Sequence, residues 1–395
     1  MIEFQRLSDV ADLTVGYVGT MGKEYTKSGV KFLRSLNIKP FSFDFSDIKH
    51  IPEEFNNKLK KSELHTNDVV IVRTGVPGTC AVIPPELDGC NCADLVIVKP
   101  DTTLIDPYYL CAFINSWGRA QVSNVKVGAI QKHFNVTSAE EMLIPIVDMS
   151  AQKTIAKILK NLNDKIFNNN SICANLEAMA KLLYDYWFVQ FDFPDENGKP
   201  YKSSGGKMVW NDELKREIPE GWEVRPLGDI IAESSKSIVQ VNGAKADGIY
   251  PFFTSGSAIL AYDQYFVDGF HCFLNTGGNP DIKGYKGKCA YSTDTWCIDA
   301  GKYSYFMYQY FMLIRSQFEQ LFFAGSGLKH LQKDALKKQC VVLPSDEVIG
   351  EFNVFLDDLW DKRTACFLEN QQLASLRDFL LPMLMNGQVK VKGDS

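Results

Sequence analysis

The five histidines and ten cysteines are the side chains with which this chain could bind a metal ion or form a covalent intermediate. No two histidines have the spacing of metal ligands on a helix, and no Cys-x-x-Cys pair occurs; the nearest cysteines are Cys90 and Cys92. The histidines are His50, His65, His133, His271 and His330. This pattern predicts no metal site and reduced thiols, as in a cytoplasmic protein.

Sequence patterns of nucleotide binding and nucleophilic catalysis are also missing. The chain has no phosphate-binding Gly-rich loop ending in Gly-Lys-Ser/Thr, no His-Glu-x-x-His pair and no Gly-x-Ser-x-Gly turn. Phe323-Ala-Gly-Ser-Gly327 has the form of a methyltransferase cofactor loop, but Asn279-Pro280-Asp281 lacks the second proline and the aromatic residue of the matching catalytic tetrapeptide. We therefore predict no catalytic residue in this chain and interpret residues 323–327 as a turn.

Charge is unevenly distributed along the 395 residues, a length that suggests about two to three domains. Residues 1–148 hold 15 basic and 18 acidic side chains, residues 221–345 hold 12 and 11, and residues 346–395 hold 5 and 9. A net charge of −6 argues against strong unaided binding to phosphates, so partners would supply much of such contact. No apolar run reaches about 18 residues and no signal-peptide pattern opens the chain, so we expect neither a membrane span nor secretion.

The elements that must position any site occur twice. Lys132-His133-Phe134 recurs 197 residues later as Lys329-His330-Leu331, and Leu7–Val10 resembles Leu227–Ile230 at an offset of 220. Further residues repeat at the offset of 197: Leu159, Leu162, Asp164, Lys165, Leu176 and Leu183 recur as Leu356, Leu359, Asp361, Lys362, Leu373 and Leu380. A unit of about 200 residues is too long for a solenoid repeat, so the pattern indicates a duplicated domain followed by a helix.

Each copy begins with a β-rich domain, here called a head: residues 1–148 form the first head and residues 221–345 the second. Two β-branched runs bounded by turn residues, 68–73 and 94–99, predict strands in the first head. Residues 107–117 have the apolar spacing of a helix. These patterns indicate that both β-strands and helices build each head.

A long helix follows each head. Residues 149–187 carry a seam that steps alternately by four and three residues and is apolar at eight of nine positions, the exception being Asn169. Residues 346–390 predict a second helix, whose seam is interrupted by Arg363, Asn370 and Arg377. Turn-rich residues 188–220 predict a linker between the first helix and the second head.

The sustained heptad period favours pairing of the two helices over a helix that lies on its own domain. We predict an α+β fold in which two β-rich heads are joined by two long helices that pack as an antiparallel coiled coil. A helix of about 39 residues is about 58 Å long, more than the 34–36 Å of one DNA turn. The residues predicted to pair the helices are Leu159, Leu162, Ile166, Leu176, Leu183, Leu356, Leu359, Leu373 and Leu380.

Several short motifs occur in a fixed order along the two copies. They are Thr66-Asn-Asp-Val-Val-Ile-Val-Arg-Thr-Gly-Val-Pro-Gly78, Gly128–Phe134 with Gly327–Leu331, Leu143–Ile146 with Val341–Pro344, and Ile218-Pro-Glu-Gly-Trp-Glu223. Together with the duplication and the two helices, these motifs resemble the specificity subunit of type I restriction–modification systems over nearly the whole chain.

The resemblance implies two target-recognition domains, each of which recognises one half of a split site in double-stranded DNA. It implies that the helices set the gap between the half-sites and hold two modification subunits, which bring S-adenosylmethionine and methylate adenine. Restriction subunits that use ATP with Mg²⁺ would join them, and this chain would bind no cofactor and catalyse no reaction. Two alternatives stay open: a single-chain adenine DNA methyltransferase with degenerate motifs, and a pure assembly scaffold whose heads bind protein.

Recognition of base edges needs polar side chains on loops that a rigid scaffold holds. In the first head we select Arg73, Thr74, Gly75, Gln131, Lys132 and His133 as DNA-binding candidates. In the second head the candidates are Ser255, Ser257, Asn275, Thr276, Lys283, Lys286, Lys288, Lys329 and His330. Each candidate has a structural alternative: Arg73 could pair with Asp68 or Asp94, the histidines could cap or pack within their heads, and the lysines could be solvated surface charges.

Overall fold

The computed structural model describes residues 3–118 and 134–385. By its internal contacts the chain divides into two units, Met1–Asn168 with Glu369–Ser395 and Asn169–Leu368. The first unit contains the first head and the second unit contains the second head. Each unit also holds part of both long helices.

The first head is built on a four-stranded antiparallel sheet with the order β2-β10-β7-β8. A three-stranded sheet, β6-β3-β9, contains the parallel pair β3–β9, and β1 pairs with β11. The strands are β1 Glu3–Arg6, β2 Ala11–Val15, β3 Val30–Leu33, β4 Ile38–Lys39, β5 Ser42–Phe43, β6 Lys49–Ile51, β7 Val69–Val72, β8 Cys80–Val82, β9 Asn91–Cys92, β10 Leu95–Pro100 and β11 Leu143–Ile146. The two predicted strands are thus confirmed as β7 and β10.

The second head repeats this topology. After the hairpin β12–β13, its four-stranded antiparallel sheet has the order β15-β21-β18-β19 and its three-stranded sheet, β17-β16-β20, contains the parallel pair β16–β20. The strands are β12 Met208–Asn211, β13 Arg216–Pro219, β14 Glu223–Pro226, β15 Ala232–Glu233, β16 Tyr250–Phe253, β17 Ile259–Tyr262, β18 Phe270–Asn275, β19 Ile282–Lys286, β20 Ala290–Tyr291, β21 Thr295–Asp299, β22 Phe323–Ala324, β23 His330–Leu331 and β24 Cys340–Leu343. Because β14 pairs with β24 as β1 pairs with β11, the duplication seen in the sequence is a duplication of fold.

The central strands of the first head are apolar throughout because both faces of the sheet are covered. Val69 and Ile71 of β7 enter a core that includes the helix Pro107–Phe113, whereas Val70 and Val72 enter a second core on the opposite face. This alternation follows from the two-residue period of a strand. A strand buried on both faces therefore appears in the sequence as an uninterrupted apolar run.

Short helices cover the sheets. The helix at Pro107–Phe113 confirms the prediction; its first turn is capped by Asp106, which accepts hydrogen bonds from the backbone N–H groups of Tyr108 and Tyr109, and proline occupies its first position. The other short helices are Leu7–Val10, Glu53–Lys58, Val136–Glu140, Ser304–Leu313, Arg315–Phe322 and Lys333–Lys337. Single 3₁₀ or π turns lie at Ser35–Asn37, Lys60–Ser62, Pro85–Leu87, Ile114–Gly118, Asp185–Val189, Leu227–Asp229, Val241–Gly243 and Gly301–Tyr303.

Two long helices match the two predicted ones. The first long helix is Met149–Tyr184 and continues into the π turn Asp185–Val189; the second long helix is Asp346–Met385. The carboxylate of Asp148 accepts a hydrogen bond of 2.9 Å from the N–H of Ala151 at the start of the first long helix. Among the residues predicted to pair the helices, Leu159 and Leu356 are fully buried, and the other seven are partly buried.

Within each unit the two long helices contact each other. In the first unit the ammonium group of Lys165 lies 3.2 Å from the carboxylate of Glu369, and Arg377 donates a hydrogen bond of 2.9 Å to Asn163. In the second unit the guanidinium group of Arg363 donates to Glu177 at 2.6 Å. In the first unit the contact residue moves from Asn163 to Lys165 along one helix while its partner moves back from Arg377 to Glu369 along the other. The two helices are therefore antiparallel in the first unit.

The segment predicted as a linker, 188–220, is packed rather than extended. Phe188, Phe191 and Phe193 are buried against Trp222, and the hairpin β12–β13 lies within the segment. Its many turn residues do form turns, but the aromatic residues between them are what anchor it to the second head. No helix in the described parts of the chain is long and apolar enough to cross a membrane.

Glycine at position 284 allows β19 to lie directly against aromatic rings. A Cβ atom there would approach the Tyr308 ring to 2.8 Å and the Trp360 ring to 2.9 Å. We expect Gly284→Ala to lower the free energy of unfolding by about 1–3 kcal/mol through this overlap. The same change at Gly350, an open position in the second long helix, should raise it by about 0.5–1 kcal/mol. Urea unfolding midpoints that move in the same direction for both variants would contradict this account.

Candidate nucleic-acid interface

The first candidate site is the turn that follows β7. Arg73 donates a hydrogen bond of 2.7 Å to one carboxylate oxygen of Asp94, and the hydroxyl of Thr74 donates to the other at 3.1 Å. The Arg73 side chain also donates to the carbonyl of Phe134 at 3.3 Å and is only 18% exposed. Gly75 follows with a φ of +84°, a conformation that glycine adopts without strain. Asp94 therefore anchors this Thr-Gly turn, and Arg73 is held in an ion pair.

The second head has an equivalent Thr-Gly turn after β18. The hydroxyl of Thr276 donates to the backbone carbonyl of Asp294 at 2.9 Å, so this turn is held by the main chain just before the neighbouring strand and not by a carboxylate. Asn275, which is 3% exposed, precedes Thr276 and donates to the carbonyls of Ser255 and Asn279 at 2.6 and 3.0 Å. The two heads thus hold a turn at the corresponding place by different hydrogen bonds, and the glycine with positive φ is Gly75 in the first head and Gly278 in the second.

Further candidates of the second head gather around this turn. The ammonium group of Lys283 lies 3.0 Å from Asp281 and donates to the carbonyl of Thr254 at 3.1 Å; its side chain is 12% exposed. The backbone around His330 pairs with the turn, since Gly278 donates to the carbonyl of Lys329 at 3.0 Å. His330 itself is exposed, and Lys329 forms an ion pair of 2.6 Å with Glu319. Exposed Ser257 lies on the adjoining loop.

The expected basic cluster of the second head is not one patch. Lys286 forms ion pairs of 2.8 and 2.6 Å with Asp357 and Asp361 of the second long helix, and Lys288 lies over the Tyr265 ring at 4.8 Å. Positions 283 and 286 are an odd number of residues apart on β19 and so face opposite sides. Hydrogen bonds from Lys286 and then Tyr305 hold the pKa of Asp357 below its usual value, so that the pair with Lys286 stays charged.

Three candidates of the first head, Gln131, Lys132 and His133, lie outside the described residues. The described part of the first head contains instead a feature that sequence reasoning missed, an open cleft of about 700 Å³ beside the Thr-Gly turn. Exposed Val76 and Leu36 line it. Of the two pairings that the sequence left open for Arg73, the structure shows the one with Asp94; the additional hydrogen bond from Thr74 to Asp94 was missed.

The described residues contain no group of three or more His, Cys, Asp or Glu side chains that could hold a metal ion. What the arrangement offers is a pair of rigid loops, one per head, with polar and apolar groups at the end of a buried sheet. Loops of this kind on a rigid scaffold are suited to recognition.

The chain has two duplicated heads that present unlike loops, and each head is followed by a long helix. This architecture is that of a recognition protein, and the comparison with known families shows the class to which it belongs. Residues 2–178 and 219–372 match the family described as type I restriction modification DNA specificity domain. The two matching stretches coincide with the two copies of the repeat. The chain belongs to this family, and the resemblance noted from its motifs is confirmed.

Relatives of established name support this assignment along most of the chain. The chain is 22% identical over 324 residues to the type I restriction enzyme MjaIX specificity subunit of Methanocaldococcus jannaschii, which covers 75% of this chain and 72% of the relative. It is 22% identical over 442 aligned residues to the HindI specificity subunit of Haemophilus influenzae, with 90% and 92% covered. The crystal structure of the type I restriction–modification S subunit from M. genitalium has the same fold, with a TM-score of 0.59 at 14% identity and coverage of 97% and 96%.

Asn275 offers a test of how the second turn is held. We expect Asn275→Ala to lower the free energy of unfolding by about 1–3 kcal/mol, because two carbonyl groups lose their donor. Amide hydrogen exchange should become faster in residues 254–257 and 276–281. Ser257→Ala, which removes an exposed hydroxyl from the same loop, should change stability by less than about 0.5 kcal/mol. Equal protection of the loops in both variants would show that Asn275 does not hold them.

Proposed function

We propose that this specificity subunit recognises a bipartite DNA site, with one half-site bound by each head, and that it does so within a complex with modification subunits. The observation that carries the proposal is a Thr-Gly turn at the corresponding place in each head, held by different hydrogen bonds and preceded by different side chains, Arg73 in the first head and Asn275 in the second. One scaffold that presents different side chains is suited to recognising two different half-sites.

DNA contact by each head would centre on its Thr-Gly turn. In the second head Ser255, Ser257, Asn275, Thr276, Lys283, Lys329 and His330 lie around this turn, whereas Lys286 and Lys288 lie away from it. Arg73 and Lys283 are held in ion pairs, so a base or phosphate would have to replace or share the carboxylate partner. Because this chain has a net charge of −6, we propose that the partner subunits supply some of the contacts with DNA phosphates.

The two long helices would pack as an antiparallel coiled coil and hold the partners. Interhelical contacts within each unit support the pairing. Apolar side chains stay exposed on both helices: Ile172, Met179, Leu182, Val354 and Phe355 in the second unit, and Leu376 and Phe379 in the first. Exposed apolar surface of this extent marks protein contacts, and we assign it to two modification subunits.

Catalysis would lie with the partners. Modification subunits would bind S-adenosylmethionine and methylate adenine, and restriction subunits, where present, would use ATP with Mg²⁺. This chain would supply recognition and no catalytic residue.

Methylome sequencing of cells that express the chain with its neighbouring modification subunit tests the proposal as a whole. We expect methylated adenines in two short specific sequences separated by a fixed unspecific gap. Methylation by the chain alone would instead favour a single-chain methyltransferase. A well-formed complex that neither methylates nor binds DNA sequence-specifically would favour a pure assembly scaffold.

Substitution of Arg73 tests the first Thr-Gly turn. Arg73→Ala should weaken or relax recognition of one half-site by about 1–3 kcal/mol if the guanidinium group contacts guanine in the DNA complex. Asp94→Asn breaks the same ion pair but keeps the arginine, and should leave the preferred base unchanged. Competition binding with half-site variants measures both. The same relaxed preference in the two variants would make Arg73 a support for the turn rather than a base contact.

Charged substitutions in the apolar seam test whether the two long helices pair. Leu162→Asp combined with Leu359→Asp should separate the helices and prevent binding of the modification subunits, because a carboxylate in an apolar contact is strongly unfavourable. Asn175→Asp combined with Gln372→Asp adds the same charge at exposed positions of the two helices and serves as the control. Size-exclusion chromatography of the mixed subunits gives the result. Unchanged assembly of the leucine variant would exclude the coiled coil.

A further inference from the structure

The arginines that interrupt the seam of the second long helix connect the helices to the heads. Both side chains are largely covered, with Arg377 17% and Arg363 22% exposed. A covered guanidinium group is unfavourable unless its donors find partners. Each arginine has a partner on its own helix, Asp378 for Arg377 and the Trp360 ring for Arg363, and further partners on the first long helix and on a head of the same unit.

Arg377 joins three elements of the first unit. Its guanidinium group donates to the side-chain oxygen of Asn163 on the first long helix at 2.9 Å. Asn163 in turn donates to the hydroxyl of Tyr108 in the first head at 2.7 Å. The guanidinium carbon also lies 5.3 Å from the centre of the Phe41 ring, which stacks on Tyr108. A single side chain thus bridges both helices and two segments of the head.

Arg363 makes the corresponding connection in the second unit. It donates to Glu177 on the first long helix at 2.6 Å and to the carbonyl of Gly284, on β19 of the second head, at 3.3 Å. The adjoining Thr364 donates to the carbonyl of Lys286 on the same strand at 2.8 Å. Backbone carbonyls in a strand cannot move without the sheet, so these bonds tie the orientation of the head to that of the helices.

Orientation matters because the two halves of a split site are related by the DNA helix. One base pair more or less in the gap displaces one half-site by about 3.4 Å and rotates it by about 34° about the DNA axis. A head that could tilt on its helices would follow such a change, whereas a head held by directional hydrogen bonds would not.

We propose that Arg377 and Arg363 are positioning residues that fix the angle of each head to the helices and so restrict the gap length that the subunit accepts. The proposal rests on the proposed function, recognition of a bipartite site. Neither arginine needs to contact DNA or a partner for this role.

The test uses the full complex with its modification subunits and duplexes that carry the methylated site with its own gap or with a gap one base pair shorter or longer. For Arg377→Met we expect methylation at the altered gaps to rise about tenfold relative to the original gap, which corresponds to about 1.4 kcal/mol of lost preference. The half-site sequences should stay the same. Arg363→Met should have the same effect through the other head.

Lys165→Met is the matched control, because the ammonium group of Lys165 pairs with Glu369 of the second long helix and so joins the same two helices in the same unit. It should keep the gap selectivity of the wild type. If Arg377→Met fails to assemble, Asn163→Ala removes the same bridge without a change of charge and takes its place. Gap selectivity equal to the wild type in these variants, or relaxed equally by Lys165→Met, would overturn the proposal. A wild-type complex that methylates no split site would instead overturn the proposed function itself.

Discussion

The fold depends on the burial of both long helices in the core of each unit. In the first unit Leu159 from the first long helix and Leu381 and Leu384 from the second lie in one core with Leu7 and Tyr109 of the head. The second unit has the same arrangement, with residues of both helices among those of the second head. Neither head completes its apolar core without both helices, and the burial of apolar surface is the dominant favourable contribution to folding.

Repetition and periodicity were sufficient to predict two central strands of the first head, the two long helices and the duplication. A buried strand such as β7 and the helical seam around Leu159 leave patterns in the sequence because burial follows the geometry of the element. The family could be predicted because its motifs occur in order along both copies. The Arg73–Asp94 pair was one of two pairings that the sequence left open, whereas the contact of Arg377 with Asn163 could not be predicted, since it joins residues far apart in the chain and depends on how the segments approach each other.

The candidate site shows where neighbours in sequence differ from neighbours in space. Lys283, Lys286 and Lys288 form a cluster in the sequence, but strand geometry and separate partners, acidic for the first two and the Tyr265 ring for Lys288, place them apart. Ser255, Asn275 and His330, by contrast, lie far apart in the chain and gather at one turn. The sequence therefore offers residue types on loops as candidates, but it does not show which of them share a surface where a strand requires alternation.

The first unit is built from two stretches that lie far apart in the chain, so its parts are synthesised at different times. The first head and Leu159 leave the ribosome well before residues 381–385, which complete their core. At about 5–20 residues per second, the intervening chain takes roughly 10–45 seconds to make. Throughout this interval the newly made first head has an apolar surface that only the end of the second long helix can cover. Chains whose synthesis stops within the second long helix therefore carry an incomplete first head as well, which makes them substrates for chaperones and proteases rather than half-functional recognition subunits.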